Sequence, residues 1–133
     1  MTQTKKRDPD YTLNIFHHYD EKIKKNVVVF LVQTTKIFVS FQYEILLENE
    51  LAGDQINLRI TGLHIPELLM PHTGPAQGRC DYTNLNGVYK LFVTKQDKTV
   101  NEFSIHITHA AVDILHKPRT PFILVSSDPA SLS

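Results

Sequence analysis

The chain has 133 residues, with 14 Lys and Arg against 14 Asp and Glu, 41 % hydrophobic residues, one cysteine and no tryptophan. That length suits one compact domain, and the apolar fraction is enough for a core, which excludes wholesale disorder. Zero formal charge argues against a dedicated nucleic-acid binder, whose affinity rests on a surplus of Lys and Arg, and it leaves little repulsion to keep copies apart.

Residues 1–10 begin with a basic, polar stretch that has no apolar run behind it, so they do not form a secretory signal and read as a flexible arm. The longest aliphatic and aromatic run is the six-residue Val27–Val32. That is far short of the ~20 residues a membrane-spanning helix needs, and no membrane partner is expected. Leu13–Ile15 and Val27–Val32 read as strands joined by the charged turn Asp20–Asn26. Val27–Val32 is apolar on both faces, so it should be central or covered, with Lys24, Lys25 and Lys36 guarding its flanks. From Ile37 to Leu47 apolar residues recur at every second position (Ile37, Val39, Phe41, Tyr43, Ile45, Leu47), as in one half-buried strand. Ile56, Leu58 and Ile60 repeat the pattern, which makes Glu48–Asp54 a hairpin connection. A second hairpin pairs Tyr89, Leu91 and Val93 with Phe103, Ile105 and Ile107 around the turn Gln96–Thr99. Residues 109–116 fit a strand through Val112 and Ile114 better than a short helix capped by Thr108. Pro121–Val125 is a short last strand, and residues 126–133 read as a flexible tail.

Residues 63–86 break the pattern. Their prolines and glycines argue against a continuous central strand, so the segment reads as a long loop. It carries the richest set of candidate ligand-binding side chains: His64, His72, Arg79, Cys80, Asp81 and Tyr82. The expected architecture is a single all-β domain over residues 11–125, an antiparallel β-sandwich of about seven or eight strands, with a small β-barrel as the alternative.

The functional readings follow from residue type and spacing. Seven histidines (17, 18, 64, 72, 106, 109 and 116) invite a metal hypothesis, but adjacent His17 and His18 point to opposite faces of a strand, as do His106 and His109. No HxH or HExxH motif occurs, so scattered histidines are the better reading and any metal site is left unassigned. Cys80 near His72, with Arg79 supplying charge, has the residue types of a nucleophile and base, on a segment that fixes no geometry. Glu48 and Glu50 read as solvated turn carboxylates. No P-loop, GxGxxG or GxSxG motif is present, and no cofactor is expected. Lys36–Phe41 has the basic and aromatic character of an RNA-binding strand but lacks its glycines and the alternating βαββαβ context.

The charge is unevenly spread. Residues 1–36 carry seven basic and four acidic groups (+3), residues 37–87 two and six (−4), and residues 88–133 five and four (+1). Together these features point to a non-enzymatic β-module that binds a protein partner, a second copy of itself included, through sheet edges and the 63–86 segment. The alternatives are a His-based metal or small-ligand site around that segment and a small enzyme using Cys80. A lone cysteine and the missing leader fit a cytoplasmic, reducing setting.

Overall fold

Period-two alternation carries most of the chain into strands, and a computed structural model shows how they join. It describes residues 9–40, 42–65 and 71–130. Among these are nine strands and no helix: β1 (Tyr11–Asp20), β2 (Lys25–Phe38), β3 (Glu44–Ala52), β4 (Gln55–His64), β5 (Gly74–Tyr82), β6 (Gly87–Thr94), β7 (Val100–Ile107), β8 (Val112–His116) and β9 (Ile123–Ser126). They form one sheet in the order β8-β7-β6-β4-β3-β5-β2-β1-β9. The sheet is mixed, with β1–β9, β3–β5 and β4–β6 parallel and the other pairs antiparallel. It curls until its two ends nearly meet, so of the two expected architectures the barrel fits, in place of seven or eight antiparallel strands in a sandwich.

Side chains rather than a backbone ladder draw the ends together. Half-buried His17 on β1 donates from Nε2 to the Thr108 carbonyl at the end of β7, at 2.7 Å. Asn101, the buried polar residue of the described core, accepts from the Phe122 backbone N–H at 2.9 Å, just before β9. Buried amides that lack such an acceptor are costly, which makes the Asn101 carboxamide a structural clamp.

The inward rows of the strands form the main core, with Leu13, Phe30, Ile56, Leu58, Leu91, Phe103 and Ile105 buried in it. Full burial of such a side chain stabilises by about 1.5–3 kcal/mol. Outward rows carry charge instead, among them Glu48, Arg59, Lys90 and Glu102, the reverse of the apolar outer band of a membrane barrel. No helix of the described residues is long and apolar enough to cross a membrane. Val27–Val32 is central, between β5 and β1. Its outward side chains Val27, Val29 and Leu31 form a second buried cluster with Phe16, against which Ala130 packs.

Several expectations change. The alternation from Ile37 to Leu47 is not one strand: β2 ends at Phe38, β3 begins at Glu44, and Val39 is 75 % exposed. The Phe38 and Tyr43 rings pack 4.7 Å apart across the break, so aromatic residues that extend the alternation close a corner instead. Phe41 lies outside the described residues. The segment 63–86 is not one loop, because β4 reaches His64 and β5 spans Gly74–Tyr82 between β2 and β3. Pro75 is tolerated beside the register shift that separates the Gln33 and Ile37 pairings. Residues 112–116 form strand β8, as the weaker alternation there indicates. In the tail, the Asp128 carbonyl accepts from the Asn14 side chain at 3.0 Å, so residues 127–130 are tied to β1. Residues 1–8 of the arm and 131–133 of the tail lie outside the described residues.

Candidate functional site

The alternation of β5 decides where the sequence candidates point. Its register sends Ala76, Cys80 and Tyr82 to the core and Gln77, Arg79 and Asp81 outward. Arg79 and Asp81, two residues apart on one face, form a bidentate pair: Nε to Oδ1 at 2.8 Å and Nη2 to Oδ2 at 2.7 Å. That hydrogen bonding raises the Arg79 pKa, so both partners are engaged with each other.

Cys80 packs against the main core, and burial, reinforced by the nearby Asp81 carboxylate, pushes its thiol up to about 12. A nucleophilic cysteine needs the opposite shift. Tyr82 lies edge-on to Phe30, with ring centroids 5.6 Å apart. Its hydroxyl donates to Asn49 Oδ1 at 2.7 Å, and burial lifts its pKa to about 12. His64 sits exposed at the end of β4, and exposed His72 folds its ring over Gly74. The six candidates therefore fall in three places: the outer face of β5, its inner face, and the end of the barrel where β4 stops. Among the described residues no three His, Cys, Asp or Glu side chains are grouped as metal ligands.

Two open hollows flank Arg79. One, of about 350 Å³, is bounded by Gln42, Glu44 and Gln77; the other, of about 540 Å³, by His18, Asp20 and Lys22. Arg79 is the single sequence candidate that lines either hollow.

The more distinctive feature is β3. Along its whole length it pairs with β4, but with β5 it makes one pairing, Glu44 with Gln77. Immediately beyond that pairing Gly78 meets Ile45 so closely that a Cβ on Gly78 would stand 2.8 Å from the Ile45 carbonyl oxygen. The strands then diverge. The Tyr82–Asn49 hydrogen bond spans the gap between them, and from Glu48 to Ala52 every residue of β3 is exposed. The chain turns at Gly53-Asp54, where Gly53 takes φ +61°, as a two-residue hairpin turn requires. The backbone of Ile45–Ala52 is thus paired on one side among the described residues, along an edge flanked by Glu48 and Glu50. Glu48 accepts from Arg59 at 3.0 Å, with both side chains 64 % exposed.

Near the start of β3 the same end of the barrel exposes Ile37, Val39, Leu46, Leu63 and Ile65. The hairpin connection expected over Glu48–Asp54 is instead the exposed end of β3, through Ala52, followed by the Gly53-Asp54 turn. The alternation of Glu48 and Glu50 was the available signal, since charges at every second residue are how exposed edges are kept from random pairing. No protein-family model matches this chain, and neither a curated protein nor a solved structure matches it.

Proposed function

We propose that this protein is a non-enzymatic interaction module that holds an extended, basic segment of a protein partner along the free edge of β3. The observation that carries the reading is that, beyond the point where Gly78 closes on Ile45, the exposed Glu48–Ala52 backbone has a ladder on its β4 side alone among the described residues. An added strand gains main-chain hydrogen bonds along such an edge and is selected by the side chains it meets. Here those side chains are Glu48 and Glu50, which favour Lys or Arg at alternate positions and disfavour phosphate-bearing partners. The exposed apolar residues at the start of β3 offer further contact area. The raised Cys80 pKa supports an interaction role over thiol catalysis, and its free thiol fits a cytoplasmic setting.

Fluorescence anisotropy with labelled hexapeptides of alternating Lys–Thr, Ser–Thr or Glu–Thr sequence tests the reading. The Lys–Thr peptide should bind saturably and the Glu–Thr peptide should not, with binding lost in the Glu48→Lys/Glu50→Lys variant. Absence of saturable Lys–Thr binding, or binding indifferent to the charge reversal, overturns it.

A further inference from the structure

We infer that the segment that docks on the β3 edge is the basic N-terminal arm, Thr4–Arg7, of a second copy of this chain. The inference rests on the edge-docking reading above and adds the identity of the occupant. Two copies of β3 cannot serve each other, because antiparallel pairing at this edge would set Glu48 and Glu50 against the same carboxylates of the other copy. The edge calls for basic side chains two residues apart on an extended backbone. Lys22 and Lys24 have that spacing but lie in the tight β1–β2 turn, where Lys24 has φ 52°. Lys117 and Arg119 flank Pro118, which has no N–H to give a ladder. Lys5 and Arg7 have the spacing, with Lys6 between them and threonines before them, a sequence that can lie extended.

The arm of the same chain does not reach. Pro9 is fixed beside β2, where its carbonyl accepts from Thr35 Oγ1 at 2.9 Å. Thr35 lies beyond the level of Gln33, which pairs with Gln77 and so stands in line with the Glu44–Gln77 pairing. Glu50 is six residues further along β3 in the opposite direction, roughly 20 Å at strand rise. Lys5 is four residues from Pro9, a reach of about 14 Å at most. Docking on another copy meets no such limit, and reciprocal exchange of arms closes a two-fold dimer. The ion pairs would be exposed, so salt should weaken it. Glu50 has no ion-pair partner among the described residues, and is open to an incoming cation.

Sedimentation equilibrium of the full chain over a range of concentrations, at low and high salt, reads the association directly. The wild type should dimerise more weakly at high salt. Lys5→Glu/Arg7→Glu and Glu48→Lys/Glu50→Lys should each dissociate at least about tenfold more readily, because each reversal turns two exposed attractions into repulsions at both edges of the dimer. An equimolar mixture of the two should regain the dimer, because each arm then meets an edge of opposite sign. Glu50→Lys alone serves as a second edge variant, and circular dichroism establishes that each variant is folded. A monomeric wild type at every concentration, a dimer unchanged in both reversals, or a mixture no stronger than its components would overturn the inference. If the Lys–Thr peptide binds while any of these results is found, the edge reading stands and the arm is not its occupant. If the peptide does not bind, the edge reading itself fails.

Discussion

The two ends of β3 face different constraints although they belong to one strand of nine residues. At its start, Ile45 is buried, Leu47 packs on the core, and Gly78 of β5 comes so near Ile45 that no side chain fits between them. Its far half, Glu48–Ala52, keeps the strand conformation and the β4 ladder, but among the described residues its other side has no backbone ladder and is bridged to β5 by the Tyr82–Asn49 side-chain hydrogen bond. Packing fixes the first end, whereas the second holds its shape through hydrogen bonds to β4 and the Gly53 turn. An edge held this way is rigid enough to template a strand and exposed enough to receive one. The contrast also explains why β5 tolerates a glycine in a central position: a glycine there admits a neighbouring backbone.

Substitution at the packed corner should have the largest effect. Gly78→Ala forces a Cβ against the Ile45 carbonyl and should cost about 1–3 kcal/mol, read as a lowered melting temperature. Gly53 has nothing within 4 Å of the position a Cβ would take, so Gly53→Ala should cost only the strain of its positive φ, about 1 kcal/mol. Equal losses at both glycines would erase the distinction between the ends.

A pH effect of intermediate size should come from the inner face of β5. Cys80 and Tyr82 are both raised to about 12 in the folded chain, chiefly by burial. Each contributes stability that is fully present below its unfolded pKa and lost as pH rises toward 12, because the unfolded chain releases the proton first. Denaturant melts should therefore show stability falling above about pH 9, with a shallower fall in Cys80→Ala. An unchanged alkaline profile in that variant would show that the Cys80 thiol is not buried against the core.

The smallest effect belongs to the exposed edge. Glu48→Gln removes an ion pair to Arg59 whose partners are both 64 % exposed, and should change stability by less than about 1 kcal/mol while weakening basic-peptide binding. A large loss of stability would mean that Glu48 supports the fold.

The residues made some of this legible and concealed the rest. The hairpin of β6 and β7 was readable because Leu91, Val93, Phe103, Ile105 and Ile107 point inward without interruption. β4 was readable for the same reason. Alternation does not register corners, however, and Ile37 and Val39 continue the period while lying exposed beyond the packed part of β2. Pro75 and Gly78 have the look of strand breakers, yet one sits beside a register shift and the other admits Ile45. That hid β5, and with it the alternation that sends Cys80 and Arg79 to opposite faces. The β3 edge was hidden for a different reason. Glu48 and Glu50 are visible in the sequence, but the missing ladder along Glu48–Ala52 comes from the separation of β3 from its neighbour β5 after the Glu44–Gln77 pairing, which local patterns do not encode.

Amide hydrogen exchange measures the two ends of β3 in one experiment. In dilute solution the amides of Glu48–Ala52 that face away from β4 should exchange far faster than those of Val28–Val32, which lie between two strands. Concentrating the protein should slow the β3 amides selectively as the edge is filled. Protection of Glu48–Ala52 equal to that of Val28–Val32 in the dilute protein would contradict the account, whereas β3 exchange that no concentration alters would remove the second copy's arm as the occupant of the edge.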